Sequence, residues 1–329
     1  MNIREIAKKA DVSIATVSRV LNDSKNVSPS TREKVLKILK KYRFEMDPWA
    51  KRLASKRNVT HIFIMVSKRI LKTLDLKDKE FYSMVVKGIQ NTAKANRSIT
   101  TIVEMETNLD EKKLKGIDGV LLVGGDTTAE HVRFLKKIGM PQVLVDQYIP
   151  TVKVDCVVSN GYDGASYAVK YLISQGFKKI VHIHGFLNHF GFKDRYVGYM
   201  TTMEQNNLLP KAYEYNDEVM EDMKPLVEKM LNVYGVPEAI FASNDPIAMK
   251  VIETLKAFHI KVPDDISVIG FDGIEKGKYF NPPLSTLRVP MQEMGSLALK
   301  RLLDIVYGQD VYPVRISLFT EFIKRGSSI

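Results

Sequence analysis

Hydrophobic residues near the start of the chain recur at helical spacing and predict three short helices within the first 42 positions. Ile3, Ile6, Ala7 and Ala10 share one face of the first helix. Such a face buries against a neighbouring element in a small helical domain. We therefore expect these residues to form part of a compact helical core.

A tight turn at Asp11-Val12-Ser13 separates this helix from a second helix, predicted over Ile14–Leu21. Ser13 is its predicted N-cap, because a serine hydroxyl there accepts a hydrogen bond from an amide near Thr16. The hydrophobic pattern turns three residues inward, Val17, Val20 and Leu21, and leaves three more exposed, Ala15, Thr16 and Arg19.

The third helix is predicted to open with the sequence Ser30-Thr31-Arg32-Glu33, which has the form of a capping box. Its inward positions are predicted to be Val35, Ile38, Leu39 and Tyr42. The opposite face is rich in lysine, so we expect it to face solvent or a polyanion.

The segment 44–58, FEMDPWAKRLASKRN, predicts a short helix that runs to about Ser55. Asp47 supplies an N-cap, and Pro48 suits the first helical position. A helix of two turns is marginal in water by itself. We therefore expect this helix to need a partner surface before it becomes ordered.

From residue 61 the pattern changes to buried strands that alternate with amphipathic helices. The predicted strands are 61–66, 99–105, 119–123, 142–145, 180–184, 239–242 and 266–271. The predicted helices are 80–95, 128–138, 163–175, 195–206, 219–233, 246–258 and 291–307. This alternation predicts an α/β fold with parallel sheets. About 270 residues favour two lobes around a cleft over one open sheet.

The positive charge of the chain is concentrated at its N-terminus. Residues 1–60 hold 15 Lys and Arg against 6 Asp and Glu, a net charge of +9 out of +11 for the chain of 329 residues. A basic helical module on a nearly neutral body is typical of a protein that binds nucleic acid phosphates. A merely solubilising tail would not show this helical periodicity.

Cysteine usage and the N-terminal sequence predict a cytoplasmic protein. Cys156 is the only cysteine, so no disulfide can form within the chain. The start MNIREIAKKAD has no apolar region of a signal peptide, and no run of 18 apolar residues follows.

The segment IREIAKKADVSIATVSRVLNDSKNVSPSTREKVLKILKKYRF closely resembles the helix-turn-helix of the LacI/GalR family of bacterial regulators. The resemblance continues in DRYVGY, AIFASNDPIAMKVI and ISVIGFDGIEKGKYFNPPLSTLRVPMQEMG, so it covers nearly the whole chain. It implies a small all-α helix-turn-helix headpiece over residues 1–46, a hinge helix over 47–58, and a core over 59–329. That core is expected to have two lobes, as in periplasmic sugar-binding proteins.

Three segments depart from the family pattern. Met46-Asp47-Pro48 stands where the family usually has a Pro-Asn pair before the hinge helix. Between the second and third predicted strands, the segment ETNLDEKKLKGID is shorter than the full helix that is usual in the family. The segment VSKRILKTLDLKDKEFY is long and basic for a first loop.

The resemblance places the second helix in the major groove of DNA, where its first turns contact base edges. Arg19 suits a bidentate contact with guanine, while Ile14 and Ala15 offer apolar contact, for example to a thymine methyl. Ile14 is alternatively a core residue. Four short polar side chains suit phosphate contacts: Thr16, Ser18, Asn22 and Ser28.

In the family, paired hinge helices enter the minor groove and insert a leucine between base steps, and Leu53 matches that leucine. Ala50 is small enough to let two hinge helices approach, and Lys51 supplies charge for phosphates. The alternative is a flexible basic linker. Two headpieces of a homodimer would then bind a pseudo-palindromic operator.

For the effector site, the resemblance implies four polar residues: Asp146, Arg195, Asn244 and Asp272. Asn244 and Asp272 follow predicted strands, where open sheets bind their ligands. The alternatives are a turn carboxylate for Asp272 and a surface cation for Arg195.

Three aromatic residues near these positions suit stacking on a sugar ring, although aromatic residues at helix starts are more often core: Phe81, Tyr82 and Phe190. His182, His184 and His189 suggest a metal site, but no ligand pattern accompanies them. We therefore expect no metal and no cofactor.

The sequence thus predicts a transcriptional regulator, most often a repressor in this family, whose operator binding is controlled by a small effector such as a carbohydrate. No catalytic motif supports an enzyme. The alternatives are a sugar-binding protein or enzyme with an accessory basic head, and an architectural DNA-binding protein.

Overall fold

The computed structural model describes residues 3–21, 27–42, 59–74, 80–107, 109–216, 222–308 and 312–329. The predicted hinge helix over 47–58 lies outside these residues. The chain divides into two compact units: Met1–Thr60 with Leu303–Tyr312, and His61–Leu302 with Pro313–Ile329.

The described N-terminal residues of the first unit form the helices α1 (Ile3–Ala10), α2 (Ile14–Leu21) and α3 (Pro29–Lys41). The amide of Thr16 donates to the Ser13 hydroxyl over 3.0 Å, which confirms the predicted N-cap of α2. The core that these helices share consists of Ile6, Ala7, Ala10, Val17, Val20, Val35 and Leu39. The predicted inward faces are therefore confirmed for these residues.

Two predictions for α3 were wrong. Its N-cap is Ser28, whose hydroxyl accepts from the Thr31 amide, so the capping box predicted at Ser30 does not form. Pro29 explains why the helix starts earlier than predicted. Proline has no N–H, but an N–H at the first helical position would have no acceptor within the helix, so proline is well tolerated there. Tyr42 was predicted inward but is 41% exposed, and the Lys9 ammonium lies 4.9 Å from its ring centroid.

The second unit is built from alternating strands and helices. The strands are β1 (Thr60–Val66), β2 (Ser98–Glu104), β3 (Gly119–Val123), β4 (Gln142–Val145), β5 (Asp155–Ser159), β6 (Ile180–His184), β7 (Lys211–Glu214), β8 (Ala239–Ala242), β9 (Ser267–Asp272), β10 (Ser285–Arg288), β11 (Arg315–Leu318) and β12 (Glu321–Ile323). The helices are α4 (Lys68–Leu74), α5 (Phe81–Ala95), α6 (Ala129–Lys137), α7 (Gly161–Ser174), α8 (Phe190–Gln205), α9 (Lys224–Tyr234), α10 (Asp245–Ala257), α11 (Glu275–Lys278) and α12 (Met291–Val306).

The strands form two six-stranded sheets, which confirms the predicted α/β fold with parallel sheets. The first sheet has the order β11-β5-β4-β3-β1-β2, and the second has the order β12-β10-β9-β8-β6-β7. The pairings at the centre of both sheets are parallel, whereas β10 and β12 are antiparallel. We call the first sheet with α4 to α6 and residues 291–302 the first lobe, and the second sheet with α7 to α11 the second lobe.

All seven predicted strands are confirmed, but β5, β7, β10, β11 and β12 were missed. These strands have three to five residues, and several carry polar or charged side chains. The long first loop was also predicted wrongly, because its residues Lys68–Leu74 form α4. In the described residues of the short segment between β2 and β3, a 3-10 turn lies at Glu111–Leu114.

Helix α5 packs closely against α12 through two glycines. A Cβ at Gly88 would lie 2.0 Å from the carbonyl oxygen of Gln292, and one at Gly295 would lie 2.1 Å from that of Val85. The Thr92 hydroxyl donates to the Ser296 hydroxyl over 2.8 Å in the same contact. This packing fixes α5, whose first turn faces the cavity described below. Within the described part of the chain, no helix is both long and apolar enough to cross a membrane.

Candidate effector cleft and recognition helix

A cavity of about 520 Å³ lies where the carboxyl ends of strands from both lobes meet. Its wall includes residues that follow β1, β3, β4, β6, β8 and β9, which is where parallel sheets place ligands. The residues with polar side chains that line it include Arg69, Glu80, Tyr82, Asp146, His189, Arg195, Asn244, Lys250, Glu253, Asp272 and Lys276. The predicted residues Phe81, Tyr82, Asp146, Arg195, Asn244 and Asp272 are therefore brought together around one cavity.

Arg195 is a buried cation of this wall. Its guanidinium donates to an Asp272 carboxylate oxygen over 3.1 Å and to the carbonyl oxygen of Ser243, and it lies 3.8 Å from the centroid of the Phe271 ring. Arg195 is only 4% exposed and Asp272 is 7% exposed. Burial raises the pKa of Asp272 well above its usual range, and the Arg195 charge opposes that rise. The pair is thus a buried charge pair rather than the surface cation that was the alternative for Arg195.

Asp146 lies on the first-lobe side of the cavity and is hydrogen bonded to Tyr82. The Tyr82 hydroxyl donates to Asp146 Oδ2 over 2.9 Å. Burial raises the pKa of Asp146, and the Arg195 charge and the Tyr82 hydrogen bond oppose that rise. Burial likewise raises the pKa of the Tyr82 phenol well above its usual range. Both side chains are half-buried and present hydrogen-bonding atoms to the cavity.

The backbone at both cleft carboxylates has positive φ, at 58° for Asp146 and 113° for Asp272. Residues with a Cβ adopt positive φ uncommonly, and such strain concentrates at binding and catalytic sites. In each case the strained residue comes directly after or at the end of a buried strand. After Asp272 the chain turns so that Ile274 and Lys276 form part of the cavity wall.

Asn244 caps α10, since its Oδ1 accepts from the Ile247 amide over 2.8 Å. This bond uses the carbonyl side of the amide group, so the NH₂ side is what Asn244 has to donate to a ligand. The next residue, Asp245, is fully buried and accepts from the Thr286 hydroxyl over 2.6 Å and the Ile274 amide over 2.8 Å. It holds the turn that follows Asp272.

The aromatic part of the wall differs from the prediction at one residue. Phe81 and Tyr82 line the cavity with their rings in an edge-to-face pair, with centroids 5.1 Å apart. Phe190 packs instead against Tyr148, and Phe192 lines the cavity in its place. Positions two apart on a helix point to nearly opposite sides, which explains why Phe190 and Phe192 cannot both face the cavity.

The sequence interpretation missed Arg69, which reaches the cavity from α4 and forms an ion pair with Asp126 over 3.3 Å. The apolar residues Ile70 and Leu74 lie four positions apart, a helical signal that could have revealed α4. Lys250, Glu253 and Lys276 were also missed. They lie on α10 and α11, beyond the strand ends that the prediction considered.

His182 and His184 lie side by side in β6 and are part of an aromatic cluster. The His182 ring stacks on Phe241 and Tyr199, with centroid distances of 4.9 and 5.0 Å. Its Nδ1 lies 2.8 Å from the carbonyl oxygen of Phe241, so Nδ1 carries the proton and donates it. Burial lowers the pKa of His182 to about 3. Among the described residues, no group of three or more His, Cys, Asp or Glu side chains is placed to hold a metal ion.

In the headpiece, three residues at the predicted DNA-contacting positions of α2 face outward. Ile14 is 46% exposed, and Ala15 and Arg19 are also exposed. Ile14 is therefore not the core residue that was its alternative. The Thr16 hydroxyl lies 2.9 Å from the Ser13 hydroxyl, and Ser28 serves as the cap of α3. The side chain of Ser18 and the residues Asn22, Ala50, Lys51 and Leu53 lie outside the described part.

Comparison with known families matches the two ends of the chain to two models. Residues 2–46 match bacterial regulatory proteins of the lacI family, and residues 169–328 match a periplasmic binding protein-like domain.

Comparison with individual proteins extends the match to the full length. The chain is similar to the transcriptional repressor CytR of Escherichia coli (strain K12), with 30% identity over 99% of this chain and 96% of CytR. It is 30% identical to catabolite control protein A of Priestia megaterium over 92% of this chain and 91% of that protein. The repressor ExuR of Bacillus subtilis (strain 168) is 28% identical over 99% and 98% of the two chains. These relatives are named as regulators rather than as enzymes.

Two solved structures show the same fold. The lac repressor dimer bound to operator and the anti-inducer ONPF has a TM-score of 0.71 at 24% identity, covering 100% of this chain and 99% of that chain. The complex of the transcriptional regulator CelR with cellobiose has a TM-score of 0.72 at 24% identity, covering 99% of each chain.

Proposed function

The chain belongs to the LacI family of bacterial regulatory proteins and is a DNA-binding transcriptional regulator, and we propose that it is a repressor controlled by a neutral carbohydrate in its cleft. The observation that carries the proposal is that two carboxylates, the half-buried Asp146 and the buried Asp272, line the same cavity as Arg195. A sugar presents hydroxyl groups that both donate and accept, which matches this set of charged acceptors and donors.

The charges that line the cavity balance each other and so suit an uncharged ligand. The lining has four cations, Arg69, Arg195, Lys250 and Lys276, and four carboxylates, Glu80, Asp146, Glu253 and Asp272. A ligand carboxylate or phosphate would lose its water there without an excess of cations to compensate it. Sugar hydroxyls donate to Asp146 and Asp272 and accept from Arg195 and Asn244. The faces of Phe81 and Phe192 supply apolar surface for a sugar ring.

For the DNA end, we propose that Arg19 contacts a guanine and that Ile14 and Ala15 contact a neighbouring base. Their exposure on α2 supports this, as does the high positive charge of residues 1–60. Two copies of the chain would bind the two halves of a pseudo-palindromic operator, as the structure of the lac repressor dimer on its operator suggests. The hinge contacts through Leu53, Ala50 and Lys51, and the boundaries 1–46, 47–58 and 59–329, remain part of the proposal. Since its target is chromosomal DNA, we place the protein in the cytoplasm.

The first test is a set of thermal unfolding measurements on the full chain with matched sugars. Neutral mono- and disaccharides are compared with the corresponding uronic acids and sugar phosphates at equal concentration. A ligand at about 100 times its Kd stabilises the folded state by about 2.7 kcal/mol, which is a readily measured rise in Tm. We expect one neutral sugar to raise Tm, with the matching acid and phosphate inactive. An active uronic acid or sugar phosphate would overturn the neutral class.

The second test couples the sugar to DNA. Fluorescence anisotropy follows a labelled duplex from upstream of the protein's own gene, with a scrambled duplex as control. We expect preferential binding to the upstream duplex and a change of its affinity when the stabilising sugar is added. Binding sites on one protein are coupled reciprocally, so the duplex must change the sugar affinity by the same factor. A sugar that stabilises the core without any effect on DNA would favour a plain sugar-binding protein.

A further inference from the structure

We propose that Tyr148 of the first lobe and Phe190 of the second lobe form a latch that holds the two lobes closed beside the cleft. The latch regulates access to the effector site, so this inference rests on the proposed function. It assigns Phe190 a role other than the sugar contact predicted from the sequence.

Tyr148 belongs firmly to the first lobe. It follows β4 by three residues and packs against the hydrophobic core of that lobe, a cluster that includes Val120, Leu122 and Leu144. The guanidinium carbon of Arg315, the first residue of β11, lies 4.8 Å from the Tyr148 ring centroid. The ring is thus held between the core of its own lobe and a first-lobe cation.

Phe190 is the first residue of α8 in the second lobe. Its ring meets the Tyr148 ring edge to face, with centroids 5.4 Å apart and planes inclined by 76°. This is the geometry that aromatic pairs prefer. The contact joins side chains from two lobes that have separate sheets and cores.

A second contact between the lobes lies next to the first. A Cβ at Gly125 would lie 2.9 Å from Cγ and Nδ1 of His189, so the first-lobe loop at Gly125 touches the residue that precedes Phe190. Larger residues at position 125 would therefore push His189 away. The two contacts together form a continuous seam beside the cavity.

The buried side chain of Gln147 joins the two first-lobe parts of this seam. Its Nε2 donates to the carbonyl oxygens of Gly125 over 2.8 Å and Thr127 over 3.3 Å, and its Oε1 accepts from the Tyr148 amide over 3.0 Å. Gly125 and Tyr148 are therefore held as one surface. The residue before Gln147 is the cleft carboxylate Asp146, so the latch and the effector site share a loop.

On the second-lobe side, Arg195 lies five residues after Phe190 in α8. If the lobes separate, the same movement that parts Phe190 from Tyr148 also parts Arg195 from Asp146. An edge-to-face aromatic pair should favour the closed over the open arrangement of the lobes by about 2- to 12-fold, in addition to the effect of burying the two rings. A contact of this size biases the lobes toward closure and still allows them to open.

The test compares Phe190→Ala with the matched variant Tyr196→Ala by amide hydrogen exchange on the full chain without sugar or DNA. Tyr196 is also on α8, but its ring packs on His184 within the second lobe, with centroids 5.1 Å apart, rather than on Tyr148. We expect Phe190→Ala to speed exchange of the amides at 125–127 and 147–149 by about 2- to 12-fold, and Tyr196→Ala to leave them near the wild-type rate. Equal effects of both variants, or none, would overturn the latch.

Substitutions at Tyr148 separate ring packing from other effects. Tyr148→Phe keeps the ring and should exchange like the wild type, whereas Tyr148→Ala should match Phe190→Ala. The double variant should exceed either single variant only slightly, because each already breaks the same contact. Additive effects would overturn the pairing. Unchanged exchange in the strands checks that the variants are folded, and since no ligand is used, the outcome is independent of the sugar panel.

Discussion

The headpiece and the cleft hold their proposed functional residues in opposite ways. In the headpiece, Arg19 and Ile14 lie on the outer face of one short helix and leave the core of that unit untouched. In the cleft, Arg195 and Asp272 are more than nine-tenths buried, come from α8 and β9, and neutralise each other.

This difference predicts how each region responds to substitution. A side chain on the outside of α2 contributes to DNA binding but little to folding. A buried charge in the cleft is compensated by its partner, so its removal affects both ligand binding and the folded state. Binding and stability should therefore be separable in the headpiece and coupled in the cleft.

The strongest test of that coupling is Arg195→Ala. Removal of the guanidinium leaves the Asp272 carboxylate buried without its cation, which costs about 3–5 kcal/mol of the free energy of unfolding. Denaturant unfolding monitored by circular dichroism measures this loss. The control is Arg288→Ala, which breaks an exposed ion pair with Glu321 and should cost about 1 kcal/mol or less. Similar costs for both variants would show that the cleft charges do not support the fold.

The matching test in the headpiece is Arg19→Ala, which should change DNA preference without a loss of stability. A bidentate contact to guanine contributes about 1–3 kcal/mol of discrimination between bases. We expect the ratio of affinities for upstream and scrambled duplexes to fall accordingly, as measured by anisotropy. The control Lys37→Ala removes one exposed charge from α3 and should weaken both duplexes by the same factor. A preserved ratio in Arg19→Ala would contradict the proposed contact.

The effect of histidine protonation on stability should be confined to the core, because residues 1–46 contain no histidine. His182 stays neutral in the folded state down to a pKa of about 3, whereas in the unfolded chain it takes up a proton below about pH 6.5. Its contribution to stability is therefore present above pH 6.5 and is lost as the pH falls. Between pH 6.5 and 5 this loss is about 2 kcal/mol.

The variant His182→Phe keeps an aromatic ring between Phe241 and Tyr199 but cannot take up a proton. Between pH 6.5 and 5, the free energy of unfolding should fall by about 2 kcal/mol less in this variant than in the wild type. Urea unfolding at the two pH values gives the comparison. An unchanged pH dependence would mean that His182 is solvated or charged in the folded protein.

The same contrast explains what could be predicted from the sequence. The bounds of α2 and the cap at Ser13 follow from residues within eight positions of each other, so local pattern and propensity sufficed. In the cleft, the motif around Asp272 and the end of β9 placed that residue correctly. The contribution of Arg69 escaped prediction, because it depends on α4 folding back over a cavity formed by distant strands. Phe190 and Phe192 could not be told apart, since the start of α8 was predicted five residues too late.

The smallest predicted effect concerns Ser28, where the sequence interpretation proposed a phosphate contact and the structure shows a helix cap. Ser28→Ala should lower the stability of the headpiece by about 1 kcal/mol, because the Thr31 amide loses its acceptor. The neighbouring Ser30→Ala is the control, and it should stay within about 0.5 kcal/mol of the wild type. Heat-induced unfolding followed by circular dichroism gives both values, and anisotropy gives the affinity for DNA. If Ser28→Ala leaves stability unchanged but weakens binding to every duplex, the Ser28 hydroxyl contacts phosphate after all. Binding and stability would then be separable at this residue too, as they are expected to be at Arg19.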